Sequence, residues 1–314
     1  MDKKVYVVST GAYSFTRQAR LLASVLNGNS YVRPDIPYGS IDTLIILGNI
    51  DIIPISIPFH TSFKKLIIYT VIEGDFPPSP AKNLIKRYNP IVIVPNNYVK
   101  SLLEKYDIKV DGIIPHGIEY KALDTIPDKD IDYLYIGEYQ KRKIPDSGLK
   151  VLKALEDKLA LVSDYRNPYI KQLNPKIKFQ NIKSGVALGI QYANDRIIYD
   201  LYKRTKFYLN VSANEGFGLT PLESEAFGDI PITPRLPAFK ETLGNCPYFL
   251  DINENDYDLW NFGELKLHLY RYDSDKLVEL AKNSIYDTNR AMECIENAKK
   301  FYYKDVYQKF YEYI

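Results

Sequence analysis

The amino-acid sequence predicts an α/β protein built from two doubly wound domains. Short apolar runs alternate with amphipathic stretches along nearly the whole chain, as strands and helices do when they follow one another around parallel sheets. The chain opens with a strand pattern over residues 4–8, then a glycine turn, then a helical pattern over about residues 15–26. Its 314 residues are enough for two domains of ordinary size.

The N-terminal half contains the predicted strands of the first sheet. Strands are predicted over residues 43–47, 66–71 and 91–94, and residues 94–99 are predicted to cap a helix that runs to about Tyr106. The first two of these strands are continuous apolar runs, which is typical of parallel strands buried on both faces.

Two loops of this half follow the carboxyl ends of predicted strands, where open parallel sheets bind ligands. Gly11 and Ala12 follow the first strand, and Glu73 follows the strand that ends at Val71. Taken alone, these residues fit a plain turn and a solvated loop carboxylate equally well. A single glycine is not a Gly-x-Gly-x-x-Gly fingerprint, so no dinucleotide cofactor is expected.

The C-terminal half repeats the alternation after a charged linker over residues 120–131. Apolar residues at a spacing of three to four over residues 291–314 predict a final helix. The other predicted elements are strands over residues 133–136, 160–163, 177–179 and 207–211, and helices over 146–159, over 194–203 and from about 257 onward.

Composition and charge exclude several classes of protein. The net charge of +2 argues against a nucleic-acid-binding protein, although a mild excess of Lys and Arg in residues 1–115 would favour an anionic acceptor or a membrane surface. No apolar run approaches the roughly 18 residues of a membrane span, and the N-terminus lacks a signal-peptide pattern. Cys246 and Cys294 have neither metal-binding spacing nor the pattern of a disulfide framework. A cytoplasmic, reducing location is therefore expected, with peripheral membrane contact by the N-terminal domain left open.

The most informative stretch is residues 214–223, Asn-Glu-Gly-Phe-Gly-Leu-Thr-Pro-Leu-Glu. It lies between a predicted strand and a predicted helix, so two carboxylates bracket a glycine loop. The glycines let a ligand approach the backbone closely, and the first amides of the helix suit a diphosphate. Thr220 is the predicted N-cap and Pro221 the first helical residue. Thr220 and Glu223 also fit a capping box, which is the purely structural interpretation.

This stretch resembles the signature of the retaining GT-B nucleotide-sugar glycosyltransferases, and of family 4 in particular. Their mark is two glutamates separated by seven residues, and Glu215 and Glu223 match it. The resemblance implies that Glu215 contacts the donor sugar and that Glu223 binds the ribose hydroxyls. The backbone between them is implied to hold the sugar and the phosphates, at Gly216, Phe217, Gly218, Leu219 and Thr220.

A second loop carries the cations that the resemblance assigns to the diphosphate. In the family an Arg directly follows the glycine of this loop, and a Lys comes further on. Here Glu138 follows Gly137, so the Arg role is vacant or passes to Lys141 or Arg142, and Lys143 is the expected phosphate ligand. A solvated run of charges is the alternative interpretation of this loop.

The resemblance implies neither a metal nor a cofactor beyond the nucleoside diphosphate sugar itself. Residues 128–132 contain the Asp-x-Asp pattern of a metal motif, but its carboxylates precede a strand instead of following one, so we reject that interpretation. The nucleotide base is expected to meet main-chain groups over residues 179–185.

The N-terminal half departs from the family at two positions. Glu73 stands where the family has a cleft histidine, which makes it a candidate catalytic residue beside Glu215, with Gly11 and Ala12 as the acceptor-side loop. His116 stands where the family has Asn at the crossing between domains, and a structural role is expected for it.

The resemblance covers residues 112–250 closely and residues 1–111 only in architecture. It implies two Rossmann-like domains facing a cleft: an acceptor domain, residues 1–115 joined by a C-terminal helix over about 297–314, and a donor domain, residues 116–296. The implied reaction transfers a hexose from a nucleoside diphosphate to a hydroxyl of a glycan, lipid or protein with retention of configuration. The alternatives are an epimerase or phosphorylase of the same fold, or a non-catalytic module that binds nucleotide sugars or glycans.

Overall fold

The computed structural model describes residues 4–33, 35–36, 38–57, 60–163, 172–173, 177–179 and 195–314. The chain divides into two compact units. The N-terminal unit comprises Met1–Glu119, Asn261–Leu267 and Phe301–Ile314, and the C-terminal unit comprises Tyr120–Trp260 and His268–Lys300.

A six-stranded sheet with all neighbouring strands parallel forms the N-terminal unit. The chain moves outward from the first strand to the second and then crosses back to the third, which makes the sheet doubly wound. In the order in which they lie side by side, the strands are β2 (Asn29–Val32), β1 (Val5–Ser9), β3 (Gly39–Gly48), β4 (Thr61–Thr70), β6 (Ile91–Val94) and β7 (Gly112–Ile113).

Alternate residues of β1 point into two different cores. Val7 packs in a cluster with Leu22 and with Phe310 of the C-terminal tail, whereas Val8 packs in a cluster with Leu84. The sheet is therefore covered on both faces. The helices of this unit are α1 (Tyr13–Val25), α2 (Pro78–Tyr88), α3 (Asn97–Glu104) and α10 (Tyr303–Val306), with 3-10 turns at Ile53–Ser56 and Tyr307–Glu312.

The predicted cap of α3 is confirmed. The Asn96 side chain accepts a hydrogen bond of 2.8 Å from the amide of Val99, which satisfies one of the donors at the start of the helix.

The C-terminal unit is built on a second six-stranded parallel sheet. Its strands lie in the order β10 (Ile177–Phe179), β9 (Leu159–Val162), β8 (Ile131–Ile136), β11 (Thr205–Leu209), β12 (Ile230–Pro234) and β13 (Tyr248–Leu250).

Helices cover both faces of this second sheet. Phe207 of β11 belongs to a buried cluster with Leu152 and Leu277, while Tyr208 turns to the other face, where Tyr202 stacks on Phe227 at 5.5 Å between ring centroids. The helices are α4 (Asp146–Ala154), α5 (Asp195–Arg204), α6 (Leu219–Glu225), α7 (Phe239–Thr242), α8 (Ser274–Asn283) and α9 (Thr288–Lys299), with a 3-10 turn at Glu156–Lys158.

The prediction that the chain is helical from about residue 257 is wrong. Strands β14 (Tyr257–Phe262) and β15 (Leu265–Tyr270) come first and form a hairpin that turns at Gly263, which has a φ of 62°. Leucines at every second position of β15 follow the period of a strand and not that of a helix. In the N-terminal unit, Lys266 and Leu267 pair antiparallel with the short strand β5 (Gly74–Asp75).

The prediction that the two cysteines form no disulfide is also wrong. Cys246 and Cys294 are 48 residues apart in sequence, but the fold brings their Cα atoms to 5.3 Å and their sulfurs are bonded. Cysteine content therefore gives no support to a reducing location. No helix among the described residues is long and apolar enough to cross a membrane.

Candidate functional site

The segment after β11 lies at the carboxyl edge of the second sheet and is fixed there by neighbouring elements. The amide of Asn210 donates to Ile232 of β12 at 2.9 Å, and the amide of Ala213 donates to the carbonyl of Arg142 at 2.7 Å. The amide of Tyr270 in β15 donates in turn to the carbonyl of Ala213 at 2.9 Å. The backbone that leads to Glu215 is thus held from three directions.

Glu215 is the electrostatic centre of this edge. Its side chain is 6% exposed, and Lys143 Nζ forms a hydrogen-bonded ion pair with its Oε1 atom. Ser212 Oγ donates to the same oxygen at 2.8 Å, and Arg142 Nη1 lies 3.9 Å from Oε2. The fold therefore brings together Glu215, Lys143 and Arg142, as the sequence predicted for one binding site.

These contacts keep the Glu215 carboxylate charged. Burial alone would raise its pKa, but the charges of Lys143 and Arg142, with hydrogen bonds from Lys143 and Ser212, hold the pKa below its ordinary value. A buried, ionised carboxylate beside two cations can accept hydrogen bonds from the hydroxyls of a ligand while the cations face a second, anionic group.

Sequence reasoning missed Ser212. It stands three residues before Glu215, between Val211 and Ala213, and it is 1% exposed. A lone hydroxyl among apolar neighbours so close to a glutamate is a signal that could have identified it.

The glycine loop is tightly packed. Phe217 is buried, and its carbonyl accepts a hydrogen bond of 2.9 Å from Thr242 Oγ1 at the end of α7. Gly218 has a φ of 89°, and a Cβ atom there would lie 2.3 Å from Cε1 of Phe239. Position 218 therefore requires glycine for two independent reasons, its conformation and its contact with α7.

The predicted start of the following helix is wrong. Gly218 is the N-cap and Leu219 is the first helical residue, so the N-cap residue has no side chain that could cap the helix. Thr220 and Pro221 lie inside α6, because the left-handed Gly218 makes the turn earlier than a threonine cap would. The capping box between Thr220 and Glu223 is consequently not formed.

Glu223 is buried within α6 and is 3% exposed. Because Thr220 is not the N-cap, the capping-box interpretation does not apply to this carboxylate. Its role as a ribose ligand stays a prediction.

The loop after β8 depends on a second close glycine contact. A Cβ atom on Gly137 would lie 2.5 Å from Oη of Tyr135, so the chain passes close to the end of the tyrosine. Glu138 follows, and its carboxylate accepts a hydrogen bond of 3.3 Å from Gln140 Nε2. The amide of Lys143 donates to the carbonyl of Gln140 at 2.8 Å, which closes the turn that presents Arg142 and Lys143.

The N-terminal candidate residues lie at the carboxyl edge of the first sheet. Gly11 follows β1 with a φ of 106°, and Ala12 is the N-cap of α1. Glu73 is half-buried three residues after the end of β4 and directly before β5. Gly74 must be small, because a Cβ atom there would lie 2.2 Å from the carbonyl oxygen of Lys266.

His116 is a packing residue of the N-terminal unit. It is 3% exposed, its ring centroid lies 4.9 Å from that of Tyr69, and burial lowers its pKa to about 3. The imidazole is therefore neutral at physiological pH and does not act there as an acid.

Within the described ranges, one group of three side chains has the spacing to hold a metal ion, namely Glu225, Cys246 and Cys294. The disulfide between the two sulfurs removes both thiolates as ligands. Burial also raises the pKa of Glu225 well above its ordinary value, which favours the neutral form of its carboxyl group. The expected backbone contacts to a nucleotide base, over residues 179–185, lie outside the described residues apart from Phe179.

Comparison with known proteins finds glycosyltransferases, although no family model matches the chain. "Putative glycosyltransferase 41" of Sulfolobus islandicus filamentous virus is 26% identical over 221 residues, which is 66% of this chain and 59% of that protein. The alpha-monoglucosyldiacylglycerol synthase of Streptococcus pneumoniae is 27% identical over 203 residues, 56% of this chain and 45% of that protein. The chain thus spans about half to three fifths of these two relatives.

Solved structures match almost the whole chain. A glycosyltransferase from Rickettsia africae has a TM-score of 0.66 at 16% identity and covers 100% of this chain and 98% of its own. Anabaena HepE in complex with UDP and glucose has a TM-score of 0.64 at 13% identity, with 99% of both chains covered. These likenesses show that the chain has the α/β fold of GT-B glycosyltransferases, with parallel sheets.

Proposed function

We propose that this protein is a glycosyltransferase that moves a hexose from a nucleoside diphosphate sugar to a hydroxyl acceptor with retention of anomeric configuration. One observation carries the proposal: the buried, ionised Glu215 is held by Lys143 and Arg142 beside the glycine loop. The names of the relatives support the reaction class, and the UDP and glucose in the HepE complex support the class of donor.

The two ends of the donor would meet groups of opposite charge. Lys143 and Arg142 would stabilise the negative charge that develops on the leaving diphosphate. Glu215 would accept hydrogen bonds from the sugar hydroxyls and so orient the anomeric carbon toward the acceptor. The backbone of Gly216–Thr220 would contact the sugar and the phosphates, and Glu223 would accept hydrogen bonds from the ribose.

We propose that transfer needs no metal ion, because the two cations of the chain would supply the positive charge at the leaving group. Activity should therefore persist in EDTA. This is a prediction about the chemistry of Lys143 and Arg142 and is tested by assaying each donor with EDTA and with Mg²⁺.

The acceptor would be held by the N-terminal unit, near Gly11, Ala12 and Glu73. One relative is named as a diacylglycerol glycolipid synthase, while other similar structures are transferases named with sugar ligands. The acceptor classes to test are accordingly glycans, lipids and protein hydroxyls. We also propose a cytoplasmic protein whose N-terminal unit would provide any peripheral membrane contact.

The experiment is a product analysis. The protein is incubated with UDP-, GDP-, ADP- and dTDP-linked hexoses and with panels of glycan and lipid acceptors, and the anomeric configuration of the product is read by NMR. A glycoside with the configuration of the donor supports the proposal. Conversion of donor without acceptor would indicate an epimerase, a requirement for inorganic phosphate would indicate a phosphorylase, and binding without consumption would indicate a non-catalytic module.

A further inference from the structure

Two hydrogen-bond donors meet at one oxygen of the Glu215 carboxylate. Lys143 Nζ and Ser212 Oγ both bind Oε1, and Arg142 faces the other oxygen at 3.9 Å. The cations that the proposed function assigns to a diphosphate are therefore engaged by the carboxylate that it assigns to the sugar.

Binding of the nucleoside diphosphate sugar must change this arrangement. Its diphosphate is an anion that competes with Glu215 for the ammonium group of Lys143. Glu215 is 6% exposed and lies on a fixed loop, whereas Lys143 is 25% exposed and has a flexible stem, so the lysine is the member that can turn toward a ligand. A carboxylate that loses its lysine in a buried site stays charged only if another hydrogen-bond donor remains beside it.

Ser212 is such a hydrogen-bond donor. Its hydroxyl has one proton and two acceptors within reach, Glu215 Oε1 at 2.8 Å and Asn210 Oδ1 at 3.0 Å. The charged acceptor is the stronger of the two, so the proton belongs to the bond with Glu215.

The surroundings that hold Ser212 in place do not depend on any ligand. Asn210 Nδ2 donates to Thr233 Oγ1 at 2.9 Å, and the amide of Asn210 extends the ladder to β12. Asn210, Ser212 and Thr233 are all at most 3% exposed. Buried polar side chains therefore follow one another from the Glu215 carboxylate to Thr233 in β12.

We propose that Ser212 is the positioning residue for Glu215 and keeps its carboxylate in place when the diphosphate of the donor takes Lys143. The inference rests on the proposed function. Ser212 acts through Glu215 and does not itself contact the donor. The carboxylate thus keeps the hydrogen bond from Ser212 both without ligand and with the nucleoside diphosphate sugar bound. In the bound state its second oxygen is directed at the sugar.

The first test needs no ligand. A double-mutant cycle compares the unfolding equilibrium of the native chain with those of Ser212→Ala, Glu215→Gln and the double variant. We expect Ser212→Ala to raise the unfolding equilibrium constant about 10-fold when Glu215 is present and less than about 3-fold when Gln replaces it. Equal effects in the two backgrounds would contradict the hydrogen bond between these side chains, whatever the substrate of the protein.

The second test uses UDP and the donor found active in the product analysis. Ser212→Ala should lower kcat about 10- to 100-fold and leave the Kd of UDP within about 2-fold, since the serine does not touch the nucleotide. It should also move the acidic limb of the kcat profile to higher pH, because loss of the hydrogen bond from the serine hydroxyl allows the pKa of Glu215 to rise. Ser212→Thr keeps the hydroxyl and should restore most of kcat.

The competition for Lys143 has its own readout. Glu215→Gln removes the charge that holds the ammonium group, so this variant should bind UDP about 3- to 10-fold more tightly than the native chain, measured by calorimetry. A weaker or unchanged affinity would contradict the exchange of Lys143 between Glu215 and the diphosphate.

Ser224→Ala is the matched control. Ser224 is equally buried, and its hydroxyl bonds only the carbonyl of Pro221, at 2.8 Å, among its hydrogen bonds with described residues. It should keep kcat and the pH profile of the native chain. If the native chain is active and Ser212→Ala has the same kcat, the role of Ser212 is overturned and the proposed function is not. A native chain inactive with every donor would overturn the proposed function, and the role with it.

Discussion

Gly218 and Phe239 are in contact so close that position 218 cannot hold a side chain. A Cβ atom there would lie 2.3 Å from Cε1 of the Phe239 ring, and the φ of 89° is itself unfavourable for any other residue. The conformation of the glycine loop is thus fixed by its packing on α7.

Gly218→Ala should destabilise the C-terminal unit and abolish transfer. The left-handed conformation costs about 1–2 kcal/mol and the clash with Phe239 about 1–3 kcal/mol more. Urea unfolding measures the sum. Gly263→Ala is the control, because Gly263 also has a positive φ, of 62°, but has no atom within 4 Å of an added Cβ. If both variants lose the same stability, the contact with Phe239 has no energetic importance.

Removal of the disulfide should lower stability by about 4 kcal/mol, since the bridge closes a loop across a sequence separation of 48 residues. Replacing Cys246 and Cys294 together by Ala, or reducing the native chain, should shift the urea midpoint by similar amounts. The double variant should not respond to reductant. A native chain that unfolds identically with and without reductant would be inconsistent with the bridge.

His116 should make the protein sensitive to acid. Burial lowers its pKa to about 3, against an ordinary value of 6.5, so between these values the unfolded chain binds a proton that the folded chain does not. The stability that the neutral ring contributes is complete above pH 6.5 and is lost as the pH falls toward 3. Between pH 6.5 and 4.5 the loss should be about 2 kcal/mol.

His116→Gln should remove that part of the pH dependence. The measurement is the free energy of unfolding of both chains at a series of pH values, and the informative quantity is the difference between the two slopes. Parallel curves would show that the imidazole is accessible to protons in the folded state.

Glu223→Gln should raise the Kd of UDP about 10-fold, because the variant loses a charged acceptor for the ribose hydroxyls. The effect does not arise from a lost capping box, since Gly218 and not Thr220 is the N-cap of α6. Glu225→Gln is a near-isosteric control on the same helix, where burial raises the pKa of the carboxyl group and so favours the neutral form that an amide resembles. Equal Kd values for the native chain and Glu223→Gln would exclude Glu223 as a ribose ligand.

Much of the fold followed from local pattern. The strand over residues 91–94 was predicted with its observed bounds, and the cap of the next helix was predicted within residues 94–99, because apolar runs and caps depend on neighbours a few residues away. The hairpin of β14 and β15 was missed. Its alternating leucines were present in the sequence, but the helical tail that follows obscured a period of two.

The sequence by itself determined much of the order of strands and helices before residue 257, the glycine loop and the candidate status of Glu215 and Glu223, since each depends on residues close together in the chain. Only the tertiary structure decided that Lys143 binds Glu215 from 72 positions away and that Cys246 meets Cys294. It also decided that Gly218 and not Thr220 is the N-cap of α6, because Gly218 alone can take the conformation that packing against Phe239 demands. Long-range pairing and the choice between two caps both depend on what the rest of the fold places beside a residue, and no local pattern contains that information.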